Sequence, residues 1–216
     1  MTKQALFDQA GDEYLVQSGG EVLDPSFAVP AVSAEIAVSV PSIETFVVSG
    51  SDRTVTPIGM NDELNNAWMP AVSAMANAVF GWLDQHDLSV AGDAYITTSI
   101  TAASEVNGEA HFDDDQFSPA TGAGVFAIVG DLAGPRALDA PLPYPNIAAP
   151  RPLTLDEDLK TKFSEGAGGL SPVAFGANEL VLMPQFGQLH SGPGPCGTAD
   201  QRRHLLVLRA ETLPTI

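Results

Sequence analysis

The chain has 216 residues, enough for one well-buried core and short for two. Nine basic residues against 27 acidic ones give a formal charge of −18, which argues against a nucleic acid or an anionic membrane as partner through a general basic surface. Cys196 is the only cysteine, which excludes an internal disulfide and a cysteine-based zinc site.

Met1–Ala5 open the chain without an apolar signal region, and no run of 18 apolar residues follows. A soluble cytoplasmic protein is therefore expected. Residues 1–30 read as a loose lead-in, broken at Gly19-Gly20 and Pro25. Strands are predicted at 35–40 and 45–48, on their β-branched content and the flanking Pro41 and Gly50. Asn61 has the chemistry of a helix N-cap, with Asp62 and Glu63 in the first turn where negative charge suits the dipole. Leu64, Trp68, Val72, Met75, Val79 and Trp82 continue at helical spacing. Residues 62–85 thus form an amphipathic helix, with a bend expected at Pro70. Both tryptophans fall on the apolar stripe and are expected in the core.

From Asp93 the pattern changes to short apolar runs of period two. Strands are predicted at 95–100, 110–112, 124–129, 179–183 and 204–208, which suggests a β-sandwich or jelly roll with helices packed outside. The segment 134–152, with Pro141, Pro143 and Pro145, reads as a long loop because proline removes ladder donors. Thr154 is a candidate cap for a short helix over 156–163.

The candidate chemistry lies in this second half. His111 and Asp113 have one residue between them, so in a strand both side chains fall on one face, with Phe112 directed away. His190 closes the run Glu179–His190, a strand breaking at Pro184 that delivers a histidine just past its end. Two imidazoles and one carboxylate are the donor set of a facial non-haem iron site, which leaves positions open for further ligands. Arg202 and Arg203 then open the last strand, and alternation allows only one of them to face inward. Arg203 shares a face with Leu205 and Val207 and is preferred; Arg202 stays open. A buried guanidinium needs a carboxylate, and it can hold one bidentately. Tyr95, Asn107 and Gln188 are further pocket candidates, while His204 either adjoins the site or faces solvent. No G-x-S-x-G elbow, P-loop or dinucleotide fingerprint occurs.

The order of these motifs, 107–113 with H-x-D, then 122–129, then 178–190 ending in Pro and His, then 202–208 led by arginine, resembles the 2-oxoglutarate/Fe(II)-dependent oxygenase superfamily, closest to its small bacterial members. The resemblance covers about residues 93–210. It implies a double-stranded β-helix (jelly roll), mainly β with flanking helices, as a single domain spanning 1–216. Its N-terminal strands and helix (1–92) would pack on the jelly-roll core (93–210). It further implies that His111, Asp113 and His190 hold Fe(II), that Arg203 or Arg202 binds 2-oxoglutarate, and that a substrate is oxidised as the co-substrate is decarboxylated to succinate. Two rival readings are a cupin-like metal protein that does not use 2-oxoglutarate and a non-catalytic binding module on a degenerate jelly roll. Nothing in the sequence specifies the substrate, whether small molecule or peptide, or the oligomeric state.

Overall fold

The computed structural model describes residues 21–24, 27, 29, 42–59, 61–102, 124–133, 142–148, 171–175, 179–184, 188–190 and 202–215. Within them the protein is mainly antiparallel sheet with one helix. The predicted elements at 35–40, 110–112 and 156–163 lie outside the described residues.

An eight-stranded sheet dominates. Its strands are β1 (Glu21–Asp24), β2 (Ser42–Ser49), β3 (Val55–Pro57), β4 (Leu88–Val90), β5 (Asp93–Ala102), β6 (Gly124–Ala133), β9 (Leu180–Pro184) and β11 (Arg202–Pro214). They run in the order β1-β9-β6-β11-β5-β2-β3, with β4 paired to the far end of β11. A second sheet has three strands, β7 (Leu142–Ala148), β8 (Ser171–Phe175) and β10 (Gln188–His190), in the order β10-β7-β8.

Helix α1 (Asp62–Asp84) covers one face of the large sheet. Its start follows from local chemistry, because the Asn61 side chain accepts from the Leu64 backbone N–H at 3.1 Å. The helix runs unbroken through Pro70, which is exposed, so the backbone bond that proline forfeits lies where water can replace it. Trp68, Val72, Met75 and Val79 are fully buried and meet the alternate residues of the strands: Phe46 and Val48 of β2, Ala94, Ile96 and Ile100 of β5, Leu206 and Leu208 of β11. Each large apolar side chain so buried contributes roughly 1.5–3 kcal/mol.

The strands continue beyond their predicted ends. The last strand spans 13 residues and not the five of 204–208, because β6 pairs with residues 202–211 while β4 takes over at Thr212–Pro214. The proline segment corrects the sequence reading more sharply, since residues 142–148, expected within a long loop, form the middle strand of the second sheet. The register supplies the reason. β8 pairs with Leu142–Asn146, but β10 pairs only with Asn146–Ala148. Among the described residues, Pro143 and Pro145 therefore have a paired strand on one side only. Two residues apart, they direct their ring nitrogens to the same edge, so the missing donors can all fall on the side away from β8.

The β2–β3 hairpin is fastened to both neighbours. Gly50 donates its N–H to the Gly92 carbonyl at 3.0 Å, and a Cβ at Gly50 would run into that same carbonyl oxygen. Arg53, with φ of 58°, reaches Asp84 at the end of α1 at 2.7 and 2.5 Å and lies 5.6 Å from the centre of the Phe80 ring. Among the described residues no helix is long and apolar enough to cross a membrane.

Two stability outcomes follow. Asn61→Ala should cost about 1 kcal/mol, read as a fall of about 2–4 °C in melting temperature, whereas Asn61→Asp should be close to neutral. Gly50→Ala should cost more, on the order of 2–3 kcal/mol, because the obstacle is backbone rather than a movable side chain. An unchanged melting curve for Gly50→Ala would disprove the close approach.

Candidate functional site

β11 has two chemically distinct faces. Its even-numbered residues from His204 to Thr212 are all buried, and Leu206, Leu208 and Ala210 pack in the core that α1 covers. Its odd-numbered residues Arg203, Leu205, Val207 and Arg209 face the other way. There Val207 packs with Phe126 and Ile128 of β6 and Val181 of β9 in a second, smaller apolar cluster. Residues directly opposite in an antiparallel pair share a face, so the register extends this second face across the sheet. Arg203 lies between Thr101 of β5 and Leu132 of β6, Leu205 between Ser99 and Gly130, and Val207 between Thr97 and Ile128.

Arg203 is the outstanding residue of this face. It is 0% exposed, one of the largest fully buried side chains described. Its Nη2 donates to Thr101 Oγ1 at 3.5 Å. Arg202, one residue earlier on the opposite face, is half-buried. A cation carried into the interior costs several kcal/mol unless it meets negative charge or several acceptors. Of the two arginines, Arg203 is the one whose burial has to be offset by partners, of which the Thr101 hydroxyl is one.

The other predicted residues are distributed as follows. His190 ends β10, opposite Asn146 of β7. It was expected just past the end of the preceding strand; instead the chain leaves β9 at Pro184 and re-enters a different sheet at Gln188. Gln188 is opposite Ala148 in the same pair. His111, Asp113 and Asn107 lie outside the described residues. Among the described residues, no three His, Cys, Asp or Glu groups cluster closely enough to hold a metal ion.

Two expectations need correction. His204 neither adjoins the site nor faces solvent. It is 1% exposed on the α1 side of β11, its ring set edge-on against Trp68 with centroids 6.0 Å apart. Strand alternation sends it to the face opposite Arg203. Tyr95 does share Arg203's face, but it pairs with Arg209, six residues along β11. At ~3.3 Å per residue that is about 20 Å from the Arg203 row, too far to line one small-molecule pocket with it.

Sequence reading overlooked Thr101. Its signal was present in the alternation of β5, where Thr97, Ser99 and Thr101 put hydroxyls on one face while Ile96 and Ile100 are buried on the other. It also overlooked a buried polar group on the helix side. There Glu44, 7% exposed, places its carboxylate against Gly59, Asn65 donates to the Gly59 carbonyl at 3.5 Å, and Thr98 donates to the Glu44 carbonyl at 3.4 Å.

No protein-family model matches the chain, and no curated protein matches it. Solved structures resemble it distantly. EvdMO1 is 15% identical over 77% of this chain, with a TM-score of 0.35. The nickel complex of the non-haem monooxygenase ThoJ is 13% identical over 99% of this chain and 71% of its own length, with a TM-score of 0.41. The Fe(II)/α-ketoglutarate-dependent dioxygenase TqaL is 13% identical over 85% of this chain and 69% of its own, with a TM-score of 0.38. The chain spans 35% of the length of EvdMO1. Similarity at this level assigns neither fold nor activity to the chain.

The burial difference between the two arginines is directly measurable. Arg203→Ala should lower stability by about 2–4 kcal/mol through lost packing and stranded acceptors, while Arg202→Ala should stay within about 1 kcal/mol. Denaturant melts of the two variants check this, and equal losses would contradict the facing assigned to the strand.

Proposed function

We propose that the chain is an Fe(II)- and 2-oxoglutarate-dependent oxygenase built on a double-stranded β-helix, with His111, Asp113 and His190 as metal ligands and Arg203 as the anchor of the co-substrate. The observation that carries this reading is the buried guanidinium of Arg203 at the head of β11, on the sheet face turned away from α1. A guanidinium at this position could hold the distal carboxylate of a dicarboxylic acid bidentately.

Strand order supports the fold. From β5 onward the chain places β5 and β6 in the large sheet, β7 and β8 in the small one, β9 in the large, β10 in the small and β11 in the large. The run β5-β11-β6-β9 puts the last strand between the first and its successor, and this repeated crossing between two antiparallel sheets supports the jelly-roll reading. His190 stands on the small sheet and Arg203 on the large one. The reading requires His111 and Asp113, which lie in sequence between β5 and β6, to reach His190.

The donor set suits the metal, since two imidazoles and a carboxylate leave coordination positions for a chelating oxo acid. Bound together, Fe(II) and 2-oxoglutarate supply oxygen activation coupled to decarboxylation of the oxo acid to succinate and carbon dioxide. The protein's own contribution is positional. Arg203 orients the co-substrate through its distal carboxylate, and its burial keeps that ion pair from being screened by solvent. Phe126, Ile128, Val181 and Val207 form an apolar wall on the same face, which excludes water beyond the carboxylate. The substrate is a small molecule or a peptide side chain. The −18 charge disfavours a nucleic acid.

Anaerobic titration of the protein with Fe(II) and 2-oxoglutarate tests the reading through the weak visible charge-transfer band of the chelate. The band should form in the wild type and be lost in His111→Ala. It should require about 10–100-fold more 2-oxoglutarate in Arg203→Lys, which keeps the charge but not the fork. Metal binding without a band would favour a cupin-like protein, and absence of metal binding would favour a binding module.

A further inference from the structure

We infer that the buried polar group on the helix side of the large sheet binds a monovalent alkali cation, held between the Glu44 carboxylate and the Asn65 side-chain oxygen beside Gly59. Glu44, Thr98 and Leu206 stand in one row across β2, β5 and β11, on the side that α1 covers. The site is thus on the opposite side of the sheet from Arg203 and stands whether or not the chain is an oxygenase. Two buried oxygens converge there. Glu44 is 7% exposed and Asn65 4%, and Glu44 Oε2 and Asn65 Oδ1 both lie within 3.5 Å of the point that a Cβ of Gly59 would occupy. The missing side chain of Gly59 leaves that space open.

Among the described residues Asn65 Oδ1 receives no hydrogen bond, because the amide turns Nδ2 to the Gly59 carbonyl, at 3.5 Å. A buried acceptor without a donor is costly, and more so beside a carboxylate. Turning the amide over would give Nδ2 to Glu44 but set Oδ1 against the Gly59 carbonyl oxygen, so one pair of facing acceptors would replace another. A cation between Glu44 and Asn65 satisfies both oxygens as they stand. The donors select its kind. Carboxylate and amide oxygens are hard ligands, which suit alkali and alkaline-earth ions rather than soft metals. The single carboxylate is neutralised by a monovalent ion, whereas a divalent ion would leave net positive charge among buried side chains. The positive end of α1, which begins at Asp62, opposes that second charge further. Gly59 is half-buried, so water can complete the coordination from its side. Glu44 belongs to β2 and Asn65 to the first turns of α1, so the ion would tie strand to helix.

Thermal melts at constant ionic strength test the site, in about 0.2 M sodium, potassium or tetramethylammonium chloride, the last cation being too large to enter. The wild type should melt about 3–6 °C higher in at least one alkali salt than in tetramethylammonium chloride. Glu44→Gln keeps the shape but removes the charge, and should shrink the difference to within about 1 °C. Asp52→Asn, on the exposed turn between β2 and β3, should keep it in full. Asn65→Asp supplies a second carboxylate and should gain a response to calcium chloride that the wild type lacks, which decides the matter if Glu44→Gln does not fold. A wild type that melts alike in all three salts overturns the site and leaves the Asn65 amide turned over as a donor to Glu44. An alkali effect that Glu44→Gln retains overturns it in favour of ions on the acidic surface, and so does an Asn65→Asp variant no more responsive to calcium than the wild type.

Discussion

The alternation of β11 is the constraint on which the rest of the described structure depends. Between β5 and β6 it pairs over eight and ten residues respectively, so its register fixes the facing of the three longest strands at once. A slip of one residue would send Leu206 and Leu208 away from α1 and bring Arg203 and Arg209 into the apolar core. The cost of burying two guanidiniums against Trp68 and Met75 excludes that alternative. One strand thereby divides the sheet into an apolar face covered by α1 and a face that carries Arg203 and the smaller cluster around Val207.

The N-terminal elements serve the first face. β2 adds to the free edge of β5, and the Ser42–Ser49 register brings Phe46 and Val48 into the same core as the helix. Hairpin and helix are then tied by Arg53 and Asp84, an exposed pair worth no more than about 1 kcal/mol, so apolar packing supplies most of the adhesion. Glu44 and Thr98, opposite one another in the β2–β5 pair, are polar residues on this otherwise apolar face. Gly59 is where a backbone without Cβ lets the Glu44 carboxylate lie close.

The second face carries a different kind of cost. Arg203 contributes charge where an apolar residue would stabilise as well or better, and buried ion pairs are weak evidence for stability. The hydroxyls of β5 and the apolar cluster around Val207 frame that position from two sides, polar towards β5 and apolar towards β6 and β9.

Local features were legible in the sequence because their causes are local. The Asn61 cap, the 3.6-residue stripe of α1, the β-branched run of β2 and the short period-two runs of β5, β6, β9 and β11 each follow from side chains within a few residues. The same alternation puts Arg202 and Arg203 on opposite faces with no knowledge of the partner strands, and the burial of Arg203 comes from the tertiary structure. Tertiary structure alone decided what depends on pairing: that residues 142–148 form a strand despite two prolines, that the chain changes sheets between Pro184 and Gln188, that His204 meets Trp68, and that Thr101 stands opposite Arg203. Register across strands is set by burial summed over whole faces, a non-local quantity that no single segment encodes.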